Sequence, residues 1–179
     1  NQIVEKYTGI NLENATEDEK IEILTNPHFI VKPEDFEEDI VIDTIKNIYQ
    51  LKDIQKRNGE TGVNRYIISN SETIFDVLNV YALFKFCGYQ DEEIKFDIMP
   101  LFETIRGLDG AENTMNKLYN LPIYAAHLER RNKRQSIMLG FSDGTKDGGY
   151  IKANWEIYRT KEILSDVSDT NQIEVIFFD

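Results

Sequence analysis

Two carboxylates and one ammonium stand where a chain could place chemistry: Glu103 in "PLFET", and Asp143 and Lys146 in "GFSDGTKDGG". Each motif follows an apolar run that reads as a buried strand, "IKFDIM" before the first and "SIMLGF" before the second. In a parallel sheet, ligands bind beyond the carboxyl ends of the strands, so Glu103 and Asp143 are expected on one rim. Carboxylates brought together there repel unless one is protonated or a cation sits between them. A divalent ion held by one Glu and one Asp, with positions open to water and substrate oxygens, resolves the repulsion. The only histidines, His28 and His127, are far apart, and Cys87 is the only cysteine. Oxygen ligands therefore remain, and they favour Mg²⁺ or Mn²⁺.

Lys146 lies three residues beyond Asp143, and Gly148 and Gly149 are expected to open the next helix from a flexible loop. Backbone N–H groups freed by glycine, with an ammonium nearby, suit an anion. The spacing is not that of a Walker loop. A second reading stays open on spacing alone, in which Asp143 or Asp147 merely caps a helix after a glycine turn.

The elements that must position these groups follow from the pattern. Thr16 with Glu19 forms a capping-box signal for a helix through "EDEKIEIL". Pro33 marks a helix start, isoleucines at 40, 42, 45 and 48 give it near-helical spacing, and Asn58-Gly59 ends it. The acidic run Glu34 to Asp39 reads as its solvated first turn. From Arg65 the grammar becomes strand and helix in alternation: "RYIIS", then "SETIFDVLNVYALFKFCG", "IKFDIM", two helical segments, "SIMLGF", a helix from "GGYIKANWEIYRTKEIL", and "IEVIFF". Such alternation implies βαβ units and a parallel sheet of about four strands. The helix over 72–87 carries only a narrow polar strip, Glu72, Asp76 and Asn79, so four such units are expected to leave apolar surface on it exposed. Trp155 and Tyr158 read as core packing, and Arg130, Arg131, Lys133 and Arg134 as a solvated helix end.

The bulk numbers restrict the classes. The 179 residues give one domain of ordinary size as the prior, and the net charge of −12 argues against nucleic acid and against an anionic membrane surface. No apolar run reaches the length of a membrane span, and a single cysteine fits a reducing, cytoplasmic setting. A chain that starts at Asn1 and stops within "IEVIFF" plus Asp179 is expected to be a piece of something longer.

Taken in order, "YIISNSETIFDVL", "PLFET", "QSIMLGFSDGTKDGG", "ANWEIY" and "IEVIFF" resemble phosphoenolpyruvate carboxylase of the bacterial and plant type. Weaker similarity extends back through "KYTGINLENATEDEKIEIL". The resemblance implies a partial (β/α)8 TIM-type barrel with additional N-terminal helices, residues 1–60 being a helical segment packing on the barrel and 61–179 carrying the metal-site loops. It implies Glu103 and Asp143 as ligands of Mg²⁺ or Mn²⁺, and Lys146 as the catalytic residue that positions bicarbonate or phosphate oxygens. This sequence departs from the family at Phe141, where a tyrosine is usual, at Gly144-Thr145, and at Asp179, where a histidine is expected.

The activity so implied is carboxylation of phosphoenolpyruvate by bicarbonate to oxaloacetate and phosphate, in a cytoplasmic homo-oligomer, a tetramer by family resemblance. The family's catalytic histidine, its substrate-binding arginines and its arginine-rich loop have no counterpart in these residues, so the chain alone is expected to be inactive and prone to self-association. Two other readings stand beside this one: another metal-dependent enolate enzyme on the same barrel, and a non-catalytic relative acting as a binding or regulatory protein.

Overall fold

The computed structural model describes residues 1–179, apart from the side chains of Asp143 and Asp147. The chain forms two compact units, one of residues 1–64 with 78–94, the other of residues 65–77 with 95–179. The first unit holds α1 (Gln2–Thr8), α2 (Glu17–Thr25), α3 (Asp39–Asn58) and the later part of α4 (Ile74–Phe86). As the sequence requires, α2 opens on a complete capping box, with Thr16 accepting from the Glu19 N–H and Glu19 accepting from the Thr16 N–H.

Pro33 starts only a short 3₁₀ turn, and α3 begins at Asp39. Phe36 causes the difference: its side chain is buried, and extended backbone there interrupts the turn before the helix. Of the four isoleucines, Ile45 and Ile48 enter the core with Leu51, whereas Ile40 is exposed. The Tyr89 hydroxyl donates to the Ile48 carbonyl at 2.8 Å, and the Val31 N–H donates to the Phe86 carbonyl at 2.9 Å. Expectation fails for α4. Ile74, Val77, Leu78, Val80, Tyr81, Ala82, Phe84 and Phe86 are all buried, so its apolar surface is covered after all.

The second unit is a four-stranded sheet in the order β1 (Arg65–Ile68), β2 (Asp97–Phe102), β3 (Arg134–Leu139) and β4 (Glu174–Phe178). All three pairings are parallel, as alternating strands and helices demand. Helix α4 lies between β1 and β2 along the chain, α5 (Ile105–Asn120) and α6 (Pro122–Arg130) between β2 and β3, and α7 (Ser142–Gly148) and α8 (Tyr150–Thr170) between β3 and β4. Strand β2 runs three residues further than the apolar run suggested, through Pro100, Leu101 and Phe102. Pro100 is the last residue paired with β1 and Leu101 the first paired with β3, so the missing N–H falls where one ladder hands over to the other.

The sheet is strongly coiled. Three strand spacings of about 4.8 Å would hold β1 about 14 Å from β4 in a flat sheet. Yet the Arg65 guanidinium lies 5.1 Å from the centroid of the Phe178 ring. Alternation and register put both side chains on one face, so the twist has brought opposite corners of that face together. At the N-terminal end the Arg131 Nε donates to the Asp97 carboxylate at 2.8 Å, both groups largely buried. On the opposite face the Tyr124 hydroxyl donates to the Gln135 side chain at 2.8 Å, and Gln135 donates onward to the Ile98 carbonyl at 3.0 Å.

Helix α8 reverses one expectation. Trp155 and Tyr158 are 61% and 54% exposed, and the helix buries Ala153, Ile157, Thr160, Leu164 and Ser168 instead. With that face buried, the aromatic face is left outward. Among the described residues no helix is long and apolar enough to cross a membrane.

Burial pushes the Cys87 thiol up to about 12, so it stays protonated at neutral pH. A disulfide reagent at about pH 8 should leave native Cys87 untouched and label it fully after guanidinium unfolding, read by released chromophore. Prompt labelling of the native protein would contradict its burial.

Candidate functional site

Parallel pairing fixes where the strand ends meet. Strand β2 ends at Phe102, Glu103 follows, and Thr104 caps α5 by accepting from the Gly107 N–H at 2.9 Å. "PLFET" is therefore a strand end, one rim residue and a helix cap in succession, which leaves Glu103 no freedom to slide along the chain. In β3, Met138 pairs with Leu101 and Leu139 with Phe102. The pairing continues one step past the strand, where the Gly140 N–H donates to the Phe102 carbonyl at 2.9 Å.

Glu103 and Gly140 consequently face each other on the rim. A Cβ at position 140 would lie 2.8 Å from the Glu103 Cβ and 3.2 Å from Leu101 Cδ1. No side chain fits there, so only glycine allows Glu103 to stand beside the end of β3. Glu103 is half-buried, and its Oε1 accepts from the Asn70 N–H at 2.8 Å, from the turn beyond β1. Leu101 and Met138, register partners on the same face, lie just below it and are themselves half-buried.

The segment beyond Phe141 is not a flexible loop. Residues Ser142–Gly148 form α7, and Gly149, with φ of 84°, breaks it from α8, which starts at Tyr150. A Cβ at Gly144 would lie 3.5 Å from the Ala153 Cβ and 3.7 Å from the Glu103 carbonyl oxygen. The start of α7 is thus packed beside Glu103. Asp143 belongs to that first turn, but its side chain lies outside the described residues. Lys146 is exposed on the last turn of α7, and Asp179 follows β4, where Lys161 of α8 meets its carboxylate at 2.7 Å.

Among the described residues no three His, Cys, Asp or Glu side chains gather as a metal cluster. What the rim offers is an oriented carboxylate with one oxygen taken by an N–H, a glycine-shaped space beside it, and an apolar floor. The sequence reading missed three of these parts: Asn70, Leu101 and Met138. Asn70 acts through its backbone, and Leu101 and Met138 look like any strand residues.

The sequence model of the family described as phosphoenolpyruvate carboxylase matches residues 2–179. The phosphoenolpyruvate carboxylase of Nitrosomonas europaea is 35% identical over 144 residues, covering 78% of this chain and 15% of that protein. That of Nitrosomonas eutropha is 33% identical over 144 residues, with the same 78% and 15% coverage. The chain thus spans about 15% of the length of these curated relatives.

The contact at Gly140 yields a direct expectation. Gly140→Ala should destabilise the fold by about 1–3 kcal/mol, because neither backbone can yield easily. Combining it with Glu103→Gly, which removes the clashing Cβ, should restore most of the loss, measured by denaturant midpoint. Equal midpoints for Gly140→Ala and the parent would refute the close approach.

Proposed function

As this chain belongs to the phosphoenolpyruvate carboxylase family, we propose that it carries the metal-binding rim of a phosphoenolpyruvate carboxylase, with Glu103 and Asp143 as ligands of Mg²⁺ or Mn²⁺. The observation that carries this reading is Glu103 fixed at the end of β2 by Asn70 and Gly140, with the first turn of α7 against its backbone. The donor types suit a hard ion, since Glu103 and Asp143 both offer carboxylate oxygens. Two carboxylates leave a divalent ion with coordination positions for anionic substrate oxygens and water. The coiled sheet would be part of a closed (β/α)8 barrel in the whole protein, β1 and β4 each meeting a further strand.

The reaction would join bicarbonate and phosphoenolpyruvate to give oxaloacetate and phosphate. The ion, when bound, supplies Lewis acidity where negative charge collects on oxygen. Glu103 and Asp143 hold it at the rim. Leu101 and Met138 floor the same face, so the carbon end of a small substrate would rest on apolar side chains while its oxygens face the carboxylate end. Lys146, exposed on α7, would bring an ammonium to anionic bicarbonate or phosphate without occupying the ion. Because α7 is a short helix closed by Gly149, that ammonium is carried on a structured turn rather than a mobile loop. The 179-residue chain on its own would not carboxylate, since it contributes no arginine set for the phosphate.

Asp143→Asn in the intact carboxylase should raise the Mg²⁺ or Mn²⁺ needed for half-maximal rate by at least about 10-fold, the least that loss of an outer-shell partner causes. Unchanged metal dependence would remove Asp143 from the site. Lys146→Ala should leave the melting temperature nearly constant, an exposed change being worth within about 0.5 kcal/mol, while the KM for bicarbonate or phosphoenolpyruvate rises. A large loss of stability with normal kinetics would assign Lys146 to the fold instead.

A further inference from the structure

The turn between β1 and α4 is held far more firmly than a connection needs to be. The Ser71 N–H donates to the Leu101 carbonyl at 3.0 Å, extending the β1–β2 pairing past the strand. The Ser71 hydroxyl donates to the Ile68 carbonyl at 3.2 Å. Thr114 of α5 donates to the Glu72 carbonyl at 3.0 Å, and Arg106 meets the Glu72 carboxylate at 3.2 Å. Asp76 accepts from the N–H groups of Glu72 and Thr73, at 3.0 and 2.8 Å. Gly107 lets α5 come so close that a Cβ there would stand 3.0 Å from the Ser71 carbonyl oxygen.

The product of all this is one donor, aimed. Asn70 has φ of 50°, a left-handed conformation that asparagine tolerates better than most residues, and its N–H donates to Glu103 Oε1 at 2.8 Å. We infer that Asn70 is a positioning residue that holds Glu103 as a one-oxygen metal ligand, and that this helps the site take Mg²⁺ or Mn²⁺ and discriminate against Ca²⁺. The inference rests on the metal reading above.

The chemistry follows from coordination number. Ca²⁺ takes six to eight oxygens and accepts carboxylates in one- or two-oxygen fashion, whereas Mg²⁺ demands a compact octahedron. A carboxylate whose Oε1 is held by an N–H is restrained from rotating, so it presents its other oxygen to the ion in a fixed direction and disfavours two-oxygen binding. Releasing Oε1 lets the carboxylate rotate, adds a possible second ligand oxygen, and loosens the direction of the first. Outer-shell donors of this kind are worth about 10- to 100-fold in metal affinity.

The test uses Mn²⁺ alone as probe, by electron paramagnetic resonance of free ion against the intact carboxylase, with Ca²⁺ as competitor. Asn70→Gly keeps both the N–H and the positive φ, and should bind Mn²⁺ like the parent. Asn70→Pro deletes the N–H and forbids that φ; it should lose about 10- to 100-fold in Mn²⁺ affinity and let Ca²⁺ compete better. Asn70→Val keeps the N–H but resists φ near 50°, and should show the same loss in a variant whose folding is checked by circular dichroism. Parent-like Mn²⁺ affinity and Ca²⁺ exclusion in folded Asn70→Pro or Asn70→Val would overturn the inference while leaving the metal site standing. Unchanged Mn²⁺ binding in Glu103→Gln would instead overturn the metal reading, and the inference with it.

Discussion

The site depends on one steric constraint: Gly140 against Glu103. Parallel pairing of β2 with β3 drives two chain segments together just past the strand ends, at a separation that excludes any Cβ on the β3 side. That contact sets the height of Glu103 on the rim. It also fixes where the chain can turn into α7, because Gly140 is still hydrogen-bonded to Phe102 when the strand ends. The apolar floor of Leu101 and Met138 follows from the same register, one pair below. A shift by one residue would put Glu103 on the opposite face, since side chains alternate.

Around this contact the sheet divides its labour. Its N-terminal end is closed by Arg131 on Asp97 and by the Tyr124–Gln135 pair, groups that need partners because they are withdrawn from water. Its C-terminal end carries the exposed or half-buried polar groups and the short helix α7. A parallel sheet allows this division, because ligands of such sheets bind beyond the carboxyl ends of the strands. The Arg65–Phe178 contact shows that four strands already coil enough to bring the corners of one face together.

Much of this was legible in the residues. Parallel pairing follows from apolar runs alternating with helical segments, and the rim position of Glu103 from the apolar run that ends a few residues before it. The capping box at Thr16 was visible because two side chains at fixed spacing satisfy each other's backbone. Other parts were hidden for physical reasons. The apolar run read as β2 stops at Met99, and only the ladder handover shows why the strand continues through a proline. Two glycines among polar residues hid α7, because glycine disfavours a helix interior and such a stretch reads as a loop. Periodicity placed Trp155 and Tyr158 on one face of α8 but could not say which face is covered; the face with Ala153, Ile157, Thr160, Leu164 and Ser168 is the buried one. Asn70 was invisible because its contribution is a backbone N–H, which leaves no trace in side-chain pattern beyond tolerance of positive φ.

The central claim is that Glu103 and Asp143 share one ion. Anomalous diffraction from Mn²⁺-soaked crystals of the whole protein tests it most directly, because it locates the metal independently of rate. The account predicts a single anomalous peak within about 2 Å of a carboxylate oxygen from each residue, the distance at which hard divalent ions meet oxygen ligands. A peak bound to neither, or an ion held by Asp143 alone with Glu103 turned away on its Asn70 bond, would contradict it.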